Sequence, residues 1–251
     1  MTAQQPHTYD AFVELAVTDS AVLGLVLKGS QAHDGMVTPH SDHDLYVVVA
    51  DDATTDLSRF EGHRSADLDL VVVTLAEFRG TGMPRWERYA LARARVVLDR
   101  LDGGIAGILA DWARLDADEA NRDAGVWLDA YANSLYRSVK NHRDGLTLAA
   151  RLDAVDSMRF LLELLFALHR RPRPYNKYLT WELTRYPLPG WDTDVLLRAV
   201  DRISAAGDVS LQRQLFALVE NAARDAGHGE VLDAWGNDLD LIRPQEAGDA
   251  V

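Results

Sequence analysis

Hydrophobic and polar positions change their rhythm about two fifths of the way along the chain. Before that point, short apolar and β-branched runs recur at residues 22–28, 45–50, 68–73 and 95–98, each bounded by polar or glycine-containing segments, as strands require. Between them lie helix-length patterns: an amphipathic stretch at 10–17, a turn of helix at 75–78 capped by Thr74, and a helix that starts on Pro84 and runs to Leu91. After Gly103-Gly104 no comparable β-branched run occurs, and apolar residues fall at helical spacing in 105–115, 127–142, 148–169, 193–205 and 211–226. Gly145, the 172–189 region and Gly207 break the pattern. The expected fold class is an α/β domain with a mixed sheet over 1–102, followed by an all-α helical bundle over 103–251.

In the segment Leu-Val-Leu-Lys-Gly-Ser at 25–30, an apolar strand ends at Gly29-Ser30. A polar loop follows, and a second strand opens with Asp42-His43-Asp44 ahead of four consecutive strand formers. Alternate strand residues share a face, so Asp42 and Asp44 project together while His43 points the other way. Two carboxylates one strand step apart suit a hard cation. Gly29 permits a sharp turn, and Ser30, opening a short helix, offers a hydroxyl and backbone N–H groups to an anion. Carboxylates that hold a metal beside a phosphate cradle imply phosphoryl or nucleotidyl chemistry. On the next strand Asp67 and Asp69 share one face and Leu68, Leu70 and Val72 the other; Asp69 lies deeper and is the chosen third acid.

Gly29-Ser30, an eleven-residue gap, the Asp42-His43-Asp44 strand start and Asp69 in Asp-Leu-Asp-Leu-Val-Val-Val-Thr together resemble the DNA polymerase beta-like nucleotidyltransferase superfamily. The likeness is to its small bacterial branch, which includes aminoglycoside adenylyltransferases and minimal nucleotidyltransferase antitoxins. It covers roughly residues 22–98. The resemblance implies that Gly29 and Ser30 contact the nucleotide phosphates, that Asp42 and Asp44 hold two Mg2+ ions with Asp69 completing the acid set, and that Asp69 supports the attacking hydroxyl. ATP is then the co-substrate and a small-molecule hydroxyl the acceptor, with an aminoglycoside-like antibiotic as one acceptor class. An antitoxin-like or regulatory nucleotidyltransferase acting on a protein partner is the alternative; the long helical half argues against it, because minimal members lack such a domain.

Composition narrows the partners. The 251 residues carry 39 acidic and 26 basic side chains, a net charge of -13, which argues against a protein that tracks nucleic acid and suits a cationic or neutral substrate. No cysteine is present, which closes thiol, disulfide and cysteine-ligated zinc chemistry. The first ten residues have neither a basic n-region nor an apolar h-region and no run is long enough for a bilayer, so a soluble, cytoplasmic protein with no membrane partner is expected. Oligomeric state is not legible.

The basic residues include only three lysines, Lys28, Lys140 and Lys177. Lys28 reads as a strand end. Lys177 belongs to an acid-free basic island at 169–178, which either faces a triphosphate or is a solvated, proline-stiffened connection. Tyr175 and Trp181 are stacking candidates near it. Glu163, in an otherwise apolar helix, is a candidate general base or the partner of Arg159 one turn earlier. Tyr131, Tyr136 and Lys140 share a helix that would line a cleft if that face is turned outward. His33, His40 and His43 offer a histidine-metal alternative; the preferred reading makes His43 a packing residue and His33 and His40 loop residues near the nucleotide.

Overall fold

A computed structural model of the chain describes residues 8–80 and 85–245, the side chains of Arg85 and Trp86 excepted. Two compact units emerge, residues 1–114 and 115–251.

The first unit is built on a four-stranded mixed sheet of β1 (Val22–Lys28), β2 (His43–Val49), β3 (Leu68–Thr74) and β4 (Arg95–Asp99) in the order β3-β2-β1-β4. β1 runs antiparallel to both β2 and β4, and β2 runs parallel to β3. The period-2 patterns sort the strand residues onto two faces. Leu25, Leu27, Leu45, Val47, Leu68 and Leu70 pack with Phe12 and Ala16 of α1 (Tyr9–Thr18) and with Leu57 and Phe60. Val26, Tyr46 and Val48 face the other way, against Phe78 of α2 (Leu75–Arg79), Leu91 of α3 (Arg85–Ala92) and Ile105, Ile108 and Leu109 of α4 (Gly104–Trp112). Thr74 caps α2 as expected, and Glu77 completes a capping box. Pro84 lies outside the described residues.

The expected boundary at 102/103 moves to 114/115. Helical periodicity places residues 105–115 with the bundle, but periodicity does not say which core a helix covers. The apolar side of α4 seals the sheet face: a Cβ on Gly24 of β1 would lie 2.6 Å from the Ile105 side chain, so the strand is made thin where the helix packs.

The second unit is all helix, as its periodicity predicts: α5 (Ala117–Arg143), α6 (Thr147–Leu168), α7 (Leu179–Arg185), α8 (Thr193–Ala206), α9 (Val209–Asp225), α10 (Gly229–Asp233) and α11 (Leu239–Ile242). α5 starts well before the expected 127, because Asp116 caps it through Glu119 N and Asp118 and Glu119 complement the helix N-terminus. The 172–189 break is not unbroken loop, since Glu182 and Leu183 turn inward on α7 between its prolines. Tyr131, Leu135, Leu161, Leu165, Phe216 and Val219 form the centre of the core. No helix among the described residues is long and apolar enough to cross a membrane.

Candidate functional site

β1 ends on Lys28, and the chain turns at Gly29 with φ +69°, the left-handed region that favours glycine. The turn is also crowded: a Cβ on Gly29 would overlap Oδ2 of Asp44 and lie 3.0 Å from its Cγ. Gly29 thus answers two demands, the turn and the close approach of the Asp44 carboxylate. Residues 29–32 form a single 3-10 turn that places Ser30 inside, 5% exposed. The short helix expected at Ser30 is this 3-10 turn.

Asp44 stands in register with Lys28 on one side and Asp69 on the other, so strand pairing, not sequence proximity, brings the two acids together. Asp42 lies just before β2, close enough for its charge to act on Asp44. Asp67 is exposed at the approach to β3, whereas the Asp69 side chain is 24% exposed and meets the solvated Arg64 at 3.5 Å. Burial holds the Asp44 carboxyl above the usual carboxylate range, and the charges of Asp42, Asp69 and Glu87 push the same way against Lys28. Among the described residues no three His, Cys, Asp or Glu side chains are gathered into a metal cage. Unneutralised carboxylates repel, and Asp69 leans onto Arg64. The donor set is nonetheless all carboxylate oxygen, the chemistry a hard divalent ion such as Mg2+ takes.

His43 points away from the acids, as alternation requires, and stacks on Tyr9 with ring centroids 4.3 Å apart. His33 lies in the loop after the Gly29 turn, as expected, but is not a solvated loop residue. It is fully buried, with Nδ1 2.7 Å from Gly29 O and Nε2 3.3 Å from the Tyr89 hydroxyl, so it ties the Gly29 turn to α3. His40 is exposed.

Sequence reading missed Glu87 of α3. It is buried, accepts a hydrogen bond from Tyr46 Oη at 2.9 Å and pairs with Lys28 Nζ at 2.6 Å. The available signal was Lys28 itself, one of only three lysines, sitting at the end of a core strand.

In the helical unit Tyr131 is fully buried beside Phe216, and the same burial pushes its hydroxyl far above the ordinary tyrosine range; it is a core residue, not a cleft residue. Glu163 lies 3.9 Å from Arg173 Nε, so it meets the basic island. Island arginines are engaged internally. Arg170 Nε donates to Leu115 O, and Arg171 donates to Tyr186 O and pairs with the buried Glu182. Lys177 is exposed over the Tyr178 ring, and Tyr175 and Trp181 meet Tyr178 and Tyr186. Part of the island is thus an internal fastener. Glu182→Ala leaves a mostly buried guanidinium short of its carboxylate and is expected to cost roughly 3–5 kcal/mol in a denaturant titration.

No protein-family model and no curated protein matches this chain. Among solved structures, a nucleotidyltransferase-like protein from Exiguobacterium sibiricum 255-15 is similar over 92% of this chain and 75% of that one, at 12% identity and a TM-score of 0.42. A likeness of that degree carries no argument about family or activity, which rest here on the residues around Asp44.

Proposed function

We propose that the chain is a nucleotidyltransferase that transfers a nucleoside monophosphate, AMP from ATP, to a hydroxyl of a small molecule and releases pyrophosphate. The observation that carries this reading is the placement of Asp44 in register with Asp69 and hard against the side-chain-free Gly29 turn. Asp42 and Asp44, with Asp69, are the residues that would hold Mg2+. Bound there, magnesium lowers the pKa of the attacking hydroxyl and neutralises charge on the leaving pyrophosphate. The turn from Gly29 to Ser30 is assigned to the phosphates, and the absence of a side chain at Gly29 seats the Asp44 carboxylate against that turn. Asp69 orients the acceptor hydroxyl and accepts its proton. Its present partner, Arg64, is 81% exposed, so the pair is weak and little is lost when Asp69 turns to the acceptor.

The acceptor class proposed is an aminoglycoside-like cation, on the strength of the -13 net charge. Affinity for it is then expected to fall as salt rises; a preferred acceptor that is neutral or anionic removes this assignment. The test of the reaction is incubation with α-labelled nucleotides, Mg2+ and an acceptor panel, read as labelled product and released pyrophosphate. Absence of nucleotide binding by calorimetry in Mg2+, together with absence of transfer, overturns the reading.

Asp69→Asn and Asp67→Asn separate two acids two positions apart. Asp69→Asn is expected to depress the chemical step about 100-fold or more with little change in nucleotide affinity, the scale of a lost general base. Asp67→Asn, exposed at the strand approach, is expected to stay within about twofold. Single-turnover kinetics decide it, and the reverse ranking would mean that the wrong carboxylate has been chosen.

A further inference from the structure

Lys28 faces Asp44 across the β1–β2 register, yet its ammonium is turned to Glu87, and the described residues include no Lys28–Asp44 ion pair. Glu87 Oε1 is fixed in turn by the Tyr46 hydroxyl, and the ammonium lies 5.0 Å from the centre of the Tyr46 ring. The two charged side chains are 15% and 4% exposed. An ion pair this deep is a poor way to stabilise a sheet face, because well-packed apolar side chains of similar volume do as well or better. Unlike the equally buried Arg171–Glu182 pair, it lies across the strand register from Asp44. Resting on the proposed function of the acid face, we propose that Glu87 is a positioning residue that holds Lys28 away from Asp44, keeping the Asp44 carboxylate open to a divalent cation. Without Glu87, the nearest carboxylate across the register is Asp44, and an ammonium seated there competes directly with the metal.

The inference is read by calorimetric titration of Mn2+ alone into the full chain, with thermal melts to establish that each variant is folded. Glu87→Gln keeps the side-chain shape and an oxygen for Tyr46 but releases Lys28. It is expected to weaken Mn2+ binding about tenfold. The double variant Lys28→Met with Glu87→Gln removes the competing ammonium as well and is expected to return binding to within about twofold of wild type. A merely structural role predicts the opposite order, with the double variant no better than the single one. Where Glu87→Gln does not fold, Glu87→Asp keeps the charge but withdraws it by one methylene, and about threefold weaker binding is expected. Wild-type affinity in the folded Glu87 single variant, or a double variant as weak as Glu87→Gln, overturns the proposal while leaving the reading of the acid face standing. If wild type itself takes up no Mn2+ with or without nucleotide, both fall together.

Discussion

Asp44→Asn is expected to lower Mg2+-dependent transfer about 10³-fold, equivalent to ~4 kcal/mol of lost transition-state stabilisation, while the protein stays folded. Asparagine preserves the size of a side chain packed against Gly29 and removes a charge on which two other carboxylates, Asp42 and Asp69, act. The same change relieves repulsion and the burial of a charge. The melting temperature without divalent ions should therefore rise, by the equivalent of about 1 kcal/mol. Wild type should gain thermal stability when Mg2+ is added, and Asp44→Asn should gain much less. Activity assays and melts with and without Mg2+ check both halves. An unfolded Asp44→Asn protein, or one that keeps wild-type turnover, contradicts the assignment of Asp44 as a metal-holding residue.

Gly29→Ala is the second large effect. Alanine at φ +69° meets left-handed strain of about 1–2 kcal/mol, and its methyl would overlap the Asp44 carboxylate. Overpacking adds a further ~1–3 kcal/mol unless Asp44 moves, and moving Asp44 disturbs the acid face. The expected result is a protein destabilised by roughly 2–5 kcal/mol and reduced at least about 100-fold in transfer. Gly62→Ala is the matched control: its φ is +71°, but nothing lies within 4 Å of the added methyl. It should lose about 1–2 kcal/mol and keep its activity. Denaturant titrations of the two variants separate backbone strain from steric displacement of Asp44, and equal activity losses would argue against the latter.

Some errors of sequence reading share one origin. The helix at Gly104–Trp112 was legible as a helix but not as part of the sheet unit, because an apolar stripe of Ile105, Ile108 and Leu109 fits either core until the Gly24 gap is seen. His33 is the loop residue that its polar neighbours suggest, but its burial was not legible, since its ring meets Tyr89, 56 residues away. Tyr131 read as a cleft candidate because a helix as long as α5 presents several faces, and only the packing of Phe216 shows which is inward. Glu87 was invisible for the same reason, since the lysine it holds lies 59 residues earlier.

What the sequence determined by itself is local. Alternation along a strand puts Asp44 on one side and His43 on the other, and sets Asp69 apart from Leu68 and Leu70, because side-chain direction in a strand follows from backbone geometry alone. Helical periodicity likewise marked the second half as helical. The tertiary structure decided the pairings: Asp44 beside both Lys28 and Asp69, Glu87 over Lys28, and α4 on the sheet. Register and packing partners are chosen by which distant segments bury each other's apolar faces, and a one-residue slip would have turned Asp44 to the opposite face, so no local pattern could specify them.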